Sequence, residues 1–367
     1  MIWPSLVLAL ILGADAPRGG DGPFGADGPR TALKPPPLQR GDVVGLVALA
    51  SALEEAHVRA AVTNLKKRGF EVKLVGAGLK RGYLAGDDDS RARALNTLIS
   101  DPEVKAILCL RGGYGSPRIL DRIDYATLRR HPKIIVGYSD ITAVLLAIEK
   151  ETGLVTFHGP MGKEWSASRG ISPFAEKYTW DLLQGTGALA SNWGGERFPG
   201  MRSPTPIAEG AAEGILRGGN LSVICSLLGT PYEIDAHGVI LLLEEVGEKP
   251  YAIDRLLNQL RLAGKLAQAK GILLGVFAGC DSKDPEGDLS LDEIFTDYFA
   301  RLGIPVLYNY PTGHIPDQAT LPLGVKVRLD ATQRTLALLE PAVDTPRPEP
   351  PVAAPVKASG REEHGSR

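Results

Sequence analysis

Short β-branched, apolar segments alternate with amphipathic ones along the first half of the chain. Residues 42–50, 71–75, 106–110, 134–137 and 155–158 read as buried strands. Between the first two, 54–68 carries apolar residues at helical spacing (Val58, Ala61, Val62, Leu65) and stops at Gly69. Further helical runs are predicted over 90–99, 117–123 and 141–150. Apolar strands separated by helices predict a parallel sheet covered on both faces, an α/β fold. A second series follows, with strands near 214–216, 239–243, 271–276, 306–310 and 325–329 and helices at 221–228, 253–262 and 291–302. The stretch 186–207, rich in Gly and Pro, reads as a linker between domains at 39–185 and 208–342. No internal repeat is visible.

Both ends differ from the middle. Residues 1–16 hold an apolar run closed by Ala14-Asp15-Ala16, the small-x-small form of a signal-peptidase site, although no basic residue precedes it. The run is too short to anchor in a bilayer. A cleaved signal would make the chain periplasmic or secreted; without one it would be cytoplasmic. Residues 17–38 and 343–367 are rich in Gly, Pro and charge and are expected to be disordered.

At 367 residues, 44% hydrophobic and 23% charged, the chain has the composition of a globular protein and room for two domains. A net charge of −2 and the lack of a basic stripe argue against a nucleic-acid partner. Cys109, Cys225 and Cys280 lie far apart in apolar segments and read as buried thiols, not as a disulfide framework or metal cluster.

Ser139 is the position of greatest chemical interest. The apolar run Ile134-Ile135-Val136 stops at Gly137, and a helical run begins two residues after the serine. A serine on such a turn projects its hydroxyl at the positive end of a helix, where N–H groups can hold an oxyanion. A plain helix cap would use the same residues. Arg111-Gly112-Gly113-Tyr114-Gly115 follows another strand and matches neither phosphate-binding glycine pattern. Its paired glycines suit close backbone approach to an acyl oxygen, or simply a tight turn. In a parallel sheet this loop, Ser139 and His158 should meet at the rim formed by the strands' carboxyl ends.

The second series ends one buried strand in Glu244, Glu245 and Glu248. A carboxylate there needs a partner, and imidazole is a natural one; Glu245 and Glu248 can instead be a solvated strand end. Among the histidines, His57, His131 and His237 sit in exposed-looking helix ends or turns, and His364 is in the tail. His158 and His314 follow strands. A serine nucleophile needs a base and the base an orienting acid, in chain order Ser139, Glu244, His314.

Seven ordered motifs across residues 40–340 together resemble the LD-carboxypeptidases, the serine peptidase family of muramoyltetrapeptide carboxypeptidase and the microcin C self-immunity protein. They are Tyr83-Leu-Ala-Gly with Arg91 and Asn96, Arg111-Gly-Gly-Tyr-Gly-Ser116, Pro132-Lys133 through Gly137-Tyr-Ser-Asp140-Ile-Thr142, and Phe157-His-Gly-Pro-Met161. Then come Gly218-Gly-Asn-Leu221 with Gly229-Thr-Pro231, Leu243-Glu-Glu with Glu248 and Pro250-Tyr-Ala-Ile-Asp254-Arg255, and Gly313-His314 with Pro322-Leu-Gly324. Many relatives carry Glu-Asp where this chain has Glu244-Glu245, and the well-known recycling members lack a secretory segment.

The resemblance implies a Ser139-Glu244-His314 triad with an oxyanion hole from the backbone of Asp140 and Gly113. Arg111, Gly112, Tyr114, His158 and Asn220, in the same motifs, are candidates for substrate contact. The implied fold is a flavodoxin-like parallel-sheet domain followed by a mixed α/β domain, often as a homodimer, with no metal or organic cofactor. The implied reaction is hydrolysis of an L,D peptide bond in a peptidoglycan-derived peptide, releasing the terminal D-Ala of murein tetrapeptide. An amidase acting on a peptidyl-adenylate antibiotic is the alternative within the family. A non-enzymatic solute-binding protein would not need a nucleophile, a base and an acid.

Overall fold

The strands of the first half are short and followed by helices, apolar except for the exposed edge strand at 71–75, and a computed structural model shows the sheet this pattern builds. It describes residues 32–166, 171–186, 203–284 and 286–344. The strands are β1 (Val43–Val47), β2 (Glu71–Val75), β3 (Val104–Cys109), β4 (Ile134–Gly137), β5 (Thr156–His158), β6 (Thr205–Ala208) and β7 (Ala211–Asn220). They continue as β8 (Val239–Val246), β9 (Gly271–Ala278), β10 (Val306–Tyr308), β11 (Leu321–Leu323), β12 (Lys326–Asp330) and β13 (Thr335–Leu338). The helices that matter below are α1 (Glu55–Lys67), α2 (Asp88–Ser100), α3 (Tyr125–Arg130), α4 (Thr142–Thr152) and α5 (Gly162–Trp165). To these are added α6 (Pro173–Leu183) and α7 (Leu221–Ser226).

One sheet has the order β11-β5-β4-β3-β1-β2, with β1 to β5 parallel and β11 antiparallel at the edge. Read from β2, the order 2-1-3-4-5 is that of a flavodoxin-like domain, as expected, with its switch point between β1 and β3. The other is mixed: β13-β12-β7-β8-β9-β10-β6, in which β7 to β10 are parallel. The strands of both centres are buried on both faces, as β4 and β8 show in their unbroken apolar runs.

Helix α4 lies between the sheets, touching β5 on one side and β7 on the other, so almost every residue of it is buried. This explains its weak amphipathicity: a helix with sheets on both sides has no solvent face to mark. Two polar residues on α4, one heptad apart, clamp it to β7. Thr142 Oγ1 accepts the Asn220 N–H at 3.1 Å, and Glu149 takes a forked hydrogen bond from Arg217 Nε and Nη2 at 2.6–3.0 Å. The helix that follows Ser139 is thereby fixed to the strand beside Glu244.

Several expectations need correction. Residues 117–123 do not form an α-helix; the segment is a 3₁₀ helix over Ser116–Arg122, and α3, which follows it, was not anticipated. The end of the supposed linker is β6, which pairs antiparallel with β10; residues 187–202 lie outside the described residues. The segment 32–38 is not a disordered tail. Leu33 N–H donates to Gly153 O and Leu38 N–H to Leu183 O, both at 2.9 Å, and Leu38 is buried. The far end joins it: Asp344 N–H donates to Pro35 O at 2.9 Å, Lys34 pairs with Glu340 at 2.8 Å, and Val343 is buried. Buried Leu and Val side chains offset the chain entropy that the Gly/Pro-rich composition suggested would win. The apolar leader over 1–16 and the C-terminal residues from 345 lie outside the described residues. The cysteines are free and buried, as expected. Among the described residues no helix is long and apolar enough to cross a membrane.

Candidate active site

Strand β4 delivers Ser139 onto a turn with φ +60°, in the left-handed region that residues with a Cβ rarely occupy. The turn continues as one 3₁₀ step, Ser139–Ile141, and enters α4. Gly137 makes this tightness feasible, because a Cβ there would lie 2.6 Å from Ile141 Cγ2. Ser139 itself is half-buried.

The glycine loop after β3 comes directly against this turn. A Cβ on Gly112 would lie 3.0 Å from Ser139 Oγ and 3.3 Å from Asp140 N, so only glycine lets the loop approach. The loop is held from the other side by Ser51 N–H, which donates to Gly112 O at 3.1 Å across the switch point. Gly113 has its α-carbon against Ser51. Tyr114, 49% exposed, packs edge-to-face on the exposed Tyr83 at 5.7 Å. Arg111 is exposed and gives one N–H to Ala52 O at 3.2 Å.

In the second sheet, Glu244 is fully buried and its Oε2 lies 2.7 Å from His314 Nδ1. The two are 70 residues apart in sequence. Gly313 admits the pair: a Cβ there would fall 2.7 Å from Glu244 Oε2. Burial pushes the Glu244 carboxyl above the usual carboxylate range, and the His314 hydrogen bond pulls it back part of the way. Glu244 Oε1 has no hydrogen-bond partner among the described residues.

Glu245 corrects an expectation. It is not a solvated strand end but is buried, and it accepts from Asn220 Nδ2, Ser222 N–H and Val246 N–H at 2.8–2.9 Å. It thus sits at the start of α7, where a carboxylate satisfies orphan N–H groups and complements the helix dipole. Alternation along β8, with a register shift against β9 at this point, sends Glu244 and Glu245 to different partners. Asn220, named as a substrate contact, is 4% exposed and already caps α7 by accepting Val223 N–H at 3.2 Å.

Ser139, Asp140 and the Gly112 loop meet at one rim, and His314 packs on the ring of Tyr138, the residue before the serine. The Tyr138 ring lies 4.8 Å from His314 and 5.9 Å from His158, and its hydroxyl donates to Glu164 Oε1 at 3.0 Å. No hydrogen bond joins Ser139 to His314 in this structure. His158 is fully buried rather than open to a ligand, neither ring nitrogen has a partner among the described residues, and burial pushes its imidazole down to about 3. Tyr138 was overlooked by sequence reasoning although it directly precedes the serine; an aromatic residue in an apolar run reads as core until the second sheet supplies its imidazole neighbour. Among the described residues no cluster of His, Cys, Asp and Glu could hold a metal ion.

A flavodoxin-like sheet thus carries a serine on a strained turn, and a second, mixed sheet carries a buried glutamate paired with a part-buried imidazole. The chain belongs to the LD-carboxypeptidase family of serine peptidases: residues 44–159 match the family's N-terminal domain and 213–329 its C-terminal domain. A protein of Bacillus subtilis (strain 168) named as a probable murein peptide carboxypeptidase is 41% identical over 315 residues, 84% of this chain and 95% of the relative. The solved muramoyltetrapeptide carboxypeptidase from Oxalobacter formigenes superposes with TM-score 0.70 at 29% identity, covering 81% of this chain and 97% of that one. The microcin C7 self-immunity protein MccF, solved with aspartyl sulfamoyl adenosine, shares the fold at TM-score 0.77 and 24% identity, covering 85% of this chain and all (100%) of that one.

Proposed function

We propose that Ser139, His314 and Glu244 form one hydrolytic unit that cleaves an L,D peptide bond and releases the terminal D-Ala of murein tetrapeptide. The observation that carries this reading is the 2.7 Å contact between His314 Nδ1 and the fully buried Glu244. A carboxylate on Nδ1 fixes the tautomer that leaves Nε2 as the base. His314 Nε2 takes the proton of Ser139 Oγ as the oxygen bonds to the scissile carbonyl carbon. Glu244 stabilises the imidazolium that results. The carbonyl oxygen becomes an oxyanion held by backbone N–H groups of the Asp140 turn and the glycine loop, each worth about 3 kcal/mol in comparable enzymes. As the C–N bond breaks, His314 returns the proton to the leaving amine of D-Ala. Water then attacks the acyl-enzyme by the same proton path and regenerates Ser139. All proton movements fall to protein groups.

Support for the substrate class comes from the relatives named for murein peptides. The test is incubation with purified murein tetrapeptide and mass spectrometry for loss of one alanine residue. Wild type is expected to convert it to the tripeptide and Ser139→Ala to leave it intact; an intact tetrapeptide with folded wild type rejects this substrate.

A further inference from the structure

The glycine loop reaches Ser139 from one strand and the turn from another, so something must hold them at a fixed separation. The loop's far end is tied to the turn by the residue after the serine. Asp140 is 4% exposed, and its Oδ2 accepts the Ser116 N–H at 2.8 Å. Ser116 returns the contact, its hydroxyl donating to the Asp140 carbonyl at 2.5 Å. Behind this pair, the buried Arg91 donates from Nη1 to Gly115 O at 2.7 Å and also to Leu49 O at the end of the β1 segment. Its Nη2 donates to Asp88 at 2.6 Å, which fixes the guanidinium to α2. Leu49, Gly115, Ser116 and Asp140 are therefore bound into one buried assembly that spans the rim from β1 to β4.

The Asp140 side chain points away from the reacting atoms into this assembly, and its partners are backbone and hydroxyl groups of the loop. Burying a carboxylate one residue from a nucleophile is costly, and burial does hold this carboxyl above the usual range against the pull of the Ser116 and Gly115 N–H groups. A chain that needed only a helix cap could use a neutral residue here. We propose that the Asp140 carboxylate is a positioning residue: by gripping Ser116 it sets the distance between the glycine loop and the Asp140 N–H, and so the width of the oxyanion site. This rests on the hydrolytic reading above and deepens it.

The test uses the purified full-length protein and three substitutions, Asp140→Ala, Asp140→Asn and Ser116→Ala. Two readouts are taken: kcat and KM on murein tetrapeptide, and the rate at which an alkyl fluorophosphonate labels Ser139. In labelling, the serine oxygen bonds to phosphorus and fluoride leaves, which again places negative charge in the oxyanion site. A misplacement of about 1 Å can cost about 10²-fold. Asp140→Ala is expected to lower kcat and labelling by about 10²-fold with KM within about threefold. Asp140→Asn keeps one acceptor oxygen for Ser116 and should recover most of that loss, to within about tenfold of wild type. Ser116→Ala keeps the N–H and should cost less than about tenfold. Equal losses in Asn and Ala would overturn the proposal, because they would make the charge itself part of the chemistry. So would wild-type labelling in Asp140→Ala, or a loss confined to KM. Should Asp140→Ala not fold, the comparison of Asn with Ser116→Ala decides: Asn labelling more slowly than about tenfold below wild type contradicts the account. Should wild type leave tetrapeptide intact, the substrate reading fails while labelling still tests Asp140.

Discussion

The two halves of the proposed site are built on opposite principles. Ser139 is presented by backbone geometry: a left-handed φ of +60° on a turn that Gly137 and Gly112 permit, with the residue half-buried at the rim. Glu244 and His314 are presented by a contact between side chains 70 residues apart, with the glutamate fully buried at the end of an apolar strand run and the imidazole part-buried. The first device stores strain at the residue proposed as nucleophile. The second stores electrostatic cost, a carboxylate out of water with one neighbour. The nucleophile half should therefore tolerate side-chain change structurally while losing all chemistry, and the acid–base half should lose both.

The comparison breaks most visibly at the serine. Ser139→Ala is expected to abolish turnover, with stability within about 1 kcal/mol of wild type. Ser139→Gly should be equally inactive and up to about 1 kcal/mol more stable than the alanine variant, because glycine accepts the left-handed conformation. Urea denaturation of the two purified proteins measures this; an alanine variant as stable as the glycine one would mean that the turn carries no strain.

Next in size is the contrast between neighbouring glutamates. Glu244→Gln keeps volume but removes the charge that orients and stabilises His314, and a loss of at least about 10² in kcat is expected. Glu245→Gln should leave kcat within a few-fold while costing about 1–3 kcal/mol of stability, since two N–H groups and the Asn220 amide lose a charged acceptor. Steady-state kinetics and denaturation on both variants check the pair. The reverse order would exchange their roles.

An effect confined to acid, and absent near neutral pH, follows from His158. Its imidazole stays neutral in the folded state down to about 3, whereas in the unfolded chain it protonates near its ordinary value. Between these limits the unfolded state binds the extra proton, so stability falls as pH drops from about 6.5 to about 3, by roughly 1.4 kcal/mol per unit at most. His158→Gln should flatten the pH dependence of the urea midpoint by about one proton in this window; an unchanged slope would place the titration elsewhere. Smallest of all is the response to chelation. EDTA is expected to leave turnover unchanged, as the proposed proton path uses protein groups alone, and inhibition reversed by zinc would contradict that path.

Much of the strand, turn and helix around Ser139 was legible because its signals are local. Val136, Gly137 and Ser139 lie within one strand and turn, and the helix that follows is continuous. The parallel sheet could be inferred for the same reason, since its central strands are apolar and bounded by turn residues. What escaped depends on distant contacts. Leu321–Leu323, which contains a proline and for which no strand is predicted, pairs with β5 as an antiparallel edge, where proline is tolerated. Glu245 reads as a solvated strand end because the Asn220 side-chain amide and the Ser222 N–H of α7 that bind it lie 25 and 23 residues earlier. His158 looks accessible at the end of a strand, but Tyr138 and the returning β11 cover it. Residues 32–38 look disordered by composition because their partners lie at Gly153, Leu183 and Asp344. Local pattern fixes which elements form, and long-range packing decides which polar groups are left facing a substrate.

The central claim is that the two halves act as one unit across the sheets, although no hydrogen bond yet joins Ser139 to His314. Its most direct test is the rate of fluorophosphonate labelling, followed by intact-protein mass and peptide mapping, in wild type, Glu244→Gln, His314→Ala and the double variant. Wild type is expected to be labelled on Ser139 alone. His314→Ala should slow labelling by at least about 10², and adding Glu244→Gln should slow it no further, because residues that act as a unit are strongly non-additive. Labelling of His314→Ala at the wild-type rate, or losses that multiply in the double variant, would contradict the account.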